Sequence, residues 1–174
     1  HGNGPQVGFI LRRSELSRGE LHEVPLDSCD ADSQGAIGYQ IQKAMFNATH
    51  TWPNPPTVAT IVTQVLVDSN DPSFRKPSKP IGSFMKETEA KSKQILEGWK
   101  IVEDAGRGWR RVVPSPKPKR IIELAAVKTL LESDAVVIAV GGGGIPVVET
   151  PRGDLLGAEA VIDKDLATSL LARE

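Results

Sequence analysis

The chain has one cysteine in 174 residues, so Cys29 can form no internal disulfide and no zinc site built on several thiolates. It has no apolar run near the roughly 20 residues that cross a bilayer, so no membrane partner is expected. It has no excess of one charge either, since 21 Lys and Arg against 22 Asp and Glu leave a formal net charge of −1. A nucleic-acid partner would find no global electrostatic footprint, and any anion site has to be local. His22 and His50 stand in polar surroundings with no nucleophile beside them and read as surface residues. An initiating methionine and a signal-like segment are missing too, and His1 leads straight into a glycine motif. The sequence therefore reads as an internal fragment, lacking both ends, of a longer cytoplasmic protein.

What is present centres on Ala135 to Val148. The apolar run Ala135 to Val140 predicts a strand buried on both faces at the centre of a parallel sheet, and Gly141 to Gly144 follow it directly. A backbone without Cβ atoms can bend tightly there and turn its N–H groups on an anion, and ligands of open α/β sheets bind beyond the carboxyl ends of strands. A flexible turn is the alternative. A second glycine turn, Gly2-Asn3-Gly4, precedes Pro5 and the helical spacing of Val7, Ile10 and Leu11. Its backbone donors and the helix dipole favour an anion, although a structural loop fits the same spacing.

Along the chain, Asp32 or Ser33 is expected to cap a helix whose apolar positions are Ile37, Ile41, Ala44, Met45 and Ala48. Asp27, Asp30 and Asp32 beside Cys29 lack the spacing of a metal site and read as a solvated acidic turn. The motif Asn47-Ala48-Thr49 is read as a chance glycosylation match. Thr57 to Val67, dense in β-branched residues, predicts one core strand. From Asp68 to Pro80, prolines 72, 77 and 80 predict an extended arm without regular structure that carries Lys76 and Lys79. Lys86 to Glu97 reads as a charged helix, and residues 99–113 as a hairpin around a glycine-containing turn. Residues 68–118 thus read as an inserted subdomain. The segment 114–120 is expected to return the chain to a helix over 121–132, and Ile145 to Glu149 to form a short strand. A last helix is expected to start near Lys164. Asp163 and Asp165 suit the positive end of its dipole, but Lys164 opposes it by about 0.3 kcal/mol or more, a placement that makes sense if the lysine faces a phosphate.

His1–Gly8, Thr63–Gly82, Glu103–Ile121, Gly141–Val147 and Glu159–Thr168, in this order, resemble the carbamate kinases of the amino-acid kinase family. The resemblance runs over nearly the whole chain, and family members extend beyond both ends. It implies a three-layer αβα sandwich with an inserted protruding subdomain, in which 1–67 and 119–174 form an incomplete substrate-binding core lobe and 68–118 the protrusion. It also implies reversible transfer of a phosphoryl group between ATP and carbamate, with Mg²⁺ accompanying the ATP or ADP, usually run toward ATP in arginine catabolism, in a homodimer. By the same resemblance Lys79 reaches over the transferred group and Lys164 approaches it from the nucleotide side. Asp163 and Asp165 orient the lysines. Gly2, Asn3 and Gly4 hold phosphoryl or carbamate oxygens, and Gly141, Gly142, Gly143 and Gly144 contact the small substrate. Such chemistry asks mainly for positioning and for cations against developing charge. Carbamate is already an anionic nucleophile, in keeping with the lack of a catalytic histidine.

Other readings compete. A dinucleotide-binding oxidoreductase would need G-x-G-x-x-G, which GGGGIP does not provide. A related kinase of another small molecule would share the core without the arm. A non-catalytic anion-binding module remains open for the fragment. The basic residues Arg110, Arg111, Lys117, Lys119 and Arg120 are read as a solvated surface in preference to an anion funnel.

Overall fold

The computed structural model describes residues 1–174, and its helices and strands interleave as an α/β fold. Pro5 in the first turn pre-sets the backbone of helix α1, Gly4–Leu16, which begins directly after Asn3. Helix α2 spans Leu26–Thr49, so it starts a full turn and more before the expected cap at Asp32 or Ser33. Packing explains the earlier start: Leu26 and Cys29 are buried against Val7, Ile81, Val113 and Val161, and each such side chain contributes about 1.5 to 3 kcal/mol by leaving water. Ser33 lies inside the helix, where its hydroxyl donates to the Asp30 carbonyl at 2.8 Å. The acidic turn is not wholly solvated, because Asp30 is only 2% exposed.

Thr57 to Val67 yields two strands, β1 (Val58–Thr60) and β2 (Gln64–Val67), and not one. The break falls at Thr63, whose backbone N–H donates to the buried Gln34 side chain at 2.8 Å. Next come the short helix α3 (Pro72–Arg75) and strand β3 (Lys79–Met85), so the prolines do not exclude regular structure. Pro72 starts a helix capped by Asp71, and Pro80 lies in an edge strand, where a missing donor is tolerated. Helix α4 (Glu87–Glu97) leads to β4 (Lys100–Glu103) and β5 (Trp109–Val113), and the antiparallel order is β3-β5-β4.

Residues Pro118–Ile121 form strand β6 where the sequence suggested an approach to a helix, and helix α5 is confined to Leu124–Glu132. The run Ala135–Val140 supplies only a three-residue strand, β7 (Val136–Ile138), paired in parallel with β1 alone. It is not central, and Val136 is 37% exposed. An apolar run reports burial preference but not the number of neighbouring strands, and the central places belong to β2 and β8. Strand β8 (Ile145–Glu149) runs parallel to β2, and β9 (Leu155–Gly157) pairs antiparallel with β8, giving the order β6-β2-β8-β9. Helix α6, Lys164–Arg173, closes the chain. Ala167 and Leu170 of α6 pack with Val65, Val67, Ile121, Val140 and Ile162, which fixes the end of that helix against the glycine turn. No helix is long and apolar enough to cross a membrane.

Candidate active site

Four segments distant in sequence meet around the turn that leaves β7. Val140 holds a left-handed φ of 46°, rare for a β-branched residue, and Gly142, Gly143 and Gly144 follow at 68°, 112° and 83°. Close approach also demands glycine at these positions. A Cβ on Gly142 would overlap the Asn3 amide, one on Gly143 the Ile162 carbonyl, and one on Gly144 the Val65 side chain. The turn is tied from three sides. Gly142 N–H donates to the His1 carbonyl at 2.9 Å. Gln34, 1% exposed, donates to the Gly141 carbonyl at 2.9 Å and accepts from Thr63 N–H. Thr63 Oγ1 in turn accepts from Val140 N–H at 3.0 Å.

The first glycine turn is thus laid onto the second. Asn3, 3% exposed, donates its amide to Asp30 Oδ1 at 3.2 Å and to Ser33 Oγ at 2.8 Å. Burial pushes the Asp30 carboxyl up to about 7, although the Asn3 hydrogen bond lowers it and the Asp27 charge adds to the rise. Gly2 lies beside Lys164, whose Cδ and Cε would sit 3.7 Å from a Cβ there. Gly4 has open space around the corresponding position and contributes the first residue of α1.

Lys79 stands at the first position of β3, held by pairing with Val113, and its ammonium donates to Asp163 Oδ2 at 3.1 Å. Its side chain is 34% exposed and therefore half-buried, not free on an arm. Asp163 is the N-cap of α6, where its other oxygen accepts from Asp165 N–H at 2.9 Å and Leu166 N–H at 3.4 Å. The Lys79 hydrogen bond and these backbone donors hold the Asp163 carboxyl below the usual carboxylate range. Lys164 donates to Asp165 at 2.6 Å with both side chains open to water, and this contact raises the lysine's pKa. One carboxylate therefore steadies each lysine. At its exposure the Lys79–Asp163 pair adds about 0 to 1 kcal/mol of stability, and the open Lys164–Asp165 pair is screened by water, so both orient more than they stabilise.

No grouping of three or more His, Cys, Asp or Glu side chains could hold a metal ion. Asp163 is already committed to Lys79 and two N–H groups, so these residues do not form a metal cage. The basic residues 110–120 are largely paired: Arg110 with Asp104, Arg111 with Glu159, Lys119 with Asp68 and Arg120 with Glu149. The sequence reading missed Asp30, Ser33, Gln34 and Thr63. A signal was available, because Leu26, Cys29, Asp30, Ser33 and Gln34 share the helical spacing of the buried face of α2.

No family model matches the chain. Over its whole length it is 54% identical to the carbamate kinase-like protein YahI of Escherichia coli K12 and 50% identical to the carbamate kinase of Pyrococcus horikoshii, in each case matching 56% of the relative's length. The chain is carbamate-kinase-like from end to end. It spans about half the length of the curated relatives it matches. The carbamate kinase of Giardia lamblia bound to AMP-PNP superposes with a TM-score of 0.87 at 47% identity, covering 99% of this chain and 54% of that one. A structure from Aeropyrum pernix K1 gives 0.93 at 40% identity, covering 99% and 55%. The α/β fold thus matches the part of these carbamate kinase structures that the chain covers.

Proposed function

We propose that the full-length protein catalyses reversible transfer of the γ-phosphoryl group of ATP to carbamate, giving carbamoyl phosphate and ADP. The observation that supports the reading is a pair of lysines each steadied by a carboxylate at the start of α6, Lys79 by Asp163 and Lys164 by Asp165, with Lys164 beside Gly2 and the two glycine turns tied together, in a chain 50% identical to a carbamate kinase. A carbamate oxygen attacks the γ-phosphorus while the bond to the β–γ bridging oxygen breaks, and ADP leaves with that electron pair. No proton has to move, because carbamate is already an anion. The protein's share is positioning and charge: backbone donors of Gly2, Asn3 and Gly4 face phosphoryl or carbamate oxygens, the turn Gly141 to Gly144 contacts the small substrate while the N–H groups of Gly142, Gly143 and Gly144 bond within the protein, and the two ammonium groups meet the phosphoryl oxygens as charge shifts. Asp163 and Asp165 hold the lysines in place between turnovers. Mg²⁺ enters with the nucleotide, whose phosphates supply its ligands.

Residues 1–67 and 119–174 then serve as the substrate-binding core lobe and 68–118 as a protruding subdomain that presents Lys79 from its first strand. Physiological flow toward ATP in arginine breakdown, in a cytoplasmic homodimer, belongs to the same proposal. Coupled detection of ATP from ADP and carbamoyl phosphate tests it. The full-length protein is expected to form ATP, and a rate equal to the uncatalysed one refutes the assignment. A polypeptide limited to residues 1–174 is expected to make none, because positioning of the nucleotide against the substrate carries much of the rate.

A further inference from the structure

Asp30 is the polar group in this protein that packing explains least. It is 2% exposed, and its Oδ2 is buried with no hydrogen-bond partner. A buried, half-satisfied acid costs stability, so its presence calls for a role. Its one side-chain partner is Asn3, whose amide lies flat on Gly142.

The hydrogen bonds decide which way that amide faces. Ser33 has one hydroxyl proton and gives it to the Asp30 carbonyl at 2.8 Å, so toward Asn3 it can only accept. Asp30 Oδ1 also accepts, as a carboxylate oxygen or as the carbonyl oxygen of the acid. Both partners therefore require the nitrogen of Asn3, and both amide hydrogens are used. The carbonyl oxygen of Asn3 has no protein partner and is not among the sealed, unpaired atoms.

We propose that Asp30 is a positioning residue of the site: with Ser33 it occupies both amide hydrogens of Asn3, so that Asn3 presents a carbonyl acceptor and selects a carbamoyl group, which carries N–H donors, over an acyl group that has none. This rests on the phosphoryl-transfer reading above and deepens it. The Asn3 side chain is then unable to serve phosphoryl or carbamate oxygens, which fall to the backbone N–H groups of the first glycine turn and to the two lysines, since Gly142, Gly143 and Gly144 donate within the protein. A site built to pair a substrate N–H discriminates against the analogue lacking it, because the acceptor is otherwise left buried and unpaired.

The test uses the full-length protein and compares ATP formation from ADP with carbamoyl phosphate and with acetyl phosphate as phosphoryl donor. In Asp30→Ala and Ser33→Ala, kcat/KM for carbamoyl phosphate is expected to fall about tenfold or more while acetyl phosphate and the KM for ADP change little, so the preference between donors narrows. Asp30→Asn keeps an acceptor oxygen and is expected to recover part of that preference. Equal losses for both donors, or an unchanged preference, overturn the proposal, since a merely structural role lowers both together. The ¹⁵N side-chain amide of Asn3 gives a readout independent of turnover: slow hydrogen exchange in wild type and fast exchange in Asp30→Ala. Identical exchange in the two also overturns it. A wild-type protein that makes no ATP refutes the phosphoryl-transfer reading and the donor selection with it, whereas an active protein whose preference survives Asp30→Ala refutes the positioning role alone.

Discussion

Replacing Asp30 by Asn should stabilise the protein at alkaline pH and leave it nearly unchanged at acidic pH. The Asp30 carboxyl lies at about 7 in the fold against an ordinary 3.8, chiefly because burial disfavours its charged form, with the Asp27 charge adding to the rise and the Asn3 hydrogen bond opposing it. Between those two values the folded state holds a proton that the unfolded chain has released. Stability therefore falls as pH rises through this window, and the loss is complete above the folded value. A shift of this size at about 1.4 kcal/mol per unit amounts to about 4 kcal/mol. Burial at 2% exposure leaves little solvent screening to reduce it. The amide introduced by Asp30→Asn resembles the protonated acid in shape and never ionises, so other titrating groups cancel when variant and parent are compared at each pH. Urea midpoints for both proteins from pH 4 to pH 8.5 measure the gap, which should open from near zero to several kcal/mol in favour of Asp30→Asn. A gap that stays flat, or that opens in favour of the parent, would mean that Asp30 is ionised and well partnered, and the burial argument would fall.

Lys79→Ala removes one partner of an ion pair that is part-exposed on both sides, so unfolding free energy should drop by no more than about 1 kcal/mol, while kcat of the full-length protein falls by orders of magnitude. Near-normal turnover would make Lys79 a structural strut between β3 and α6. Lys164→Arg keeps the charge but replaces a compact ammonium with a planar fork, and a strong loss of kcat with an unchanged melting temperature is expected; unaltered kinetics would return Lys164 to the role of a helix-start residue. Gly142→Ala places a Cβ into the Asn3 amide at a φ of 68°, and should both destabilise the fold by about 1 to 3 kcal/mol and abolish activity, which calorimetry and the coupled assay would read together. A stable, active Gly142→Ala protein would show that the two turns need not touch.

Local rules placed most of the elements. Pro5 and the spacing of Val7, Ile10 and Leu11 gave α1, Asp163 at a dipole's positive end gave the start of α6, and Ile145 to Glu149 gave β8. The errors share one cause, which is that propensity does not report partners. Ala135 to Val140 looked central because it is apolar, yet neighbours decide rank in a sheet, and only β1 lies beside β7. Thr57 to Val67 looked continuous because its residues suit strands, yet the buried amide of Gln34 captures Thr63 and divides the run between two sheets. The segment 114–120 looked like a lead-in to a helix over 121–132, yet Pro118 opens an edge strand beside β2, where a missing N–H costs nothing.

At the site, the outer layer was legible and the inner one was not. The glycines, Lys79 and the Asp163-Lys164-Asp165 run stand out by residue type, and a resemblance over five ordered motifs could attach to them. Asp30, Ser33 and Gln34 carry theirs in position. Asp27, Asp30 and Asp32 are equally acidic on paper, and only the register of α2 turns Asp30 to 2% exposure against Asn3. That register is set by Leu26 and Cys29 reaching Val7 and Val161, contacts made across the whole chain. The consequence is physical: the helix that builds the second core cluster also carries, on the same face one turn on, the residues that tie down both glycine turns. Core packing and site geometry are therefore coupled through α2. A cavity-forming change such as Leu26→Ala, far from any lysine, should let the helix end shift and loosen Asn3 and Gly141 as well as costing about 2 to 5 kcal/mol of stability.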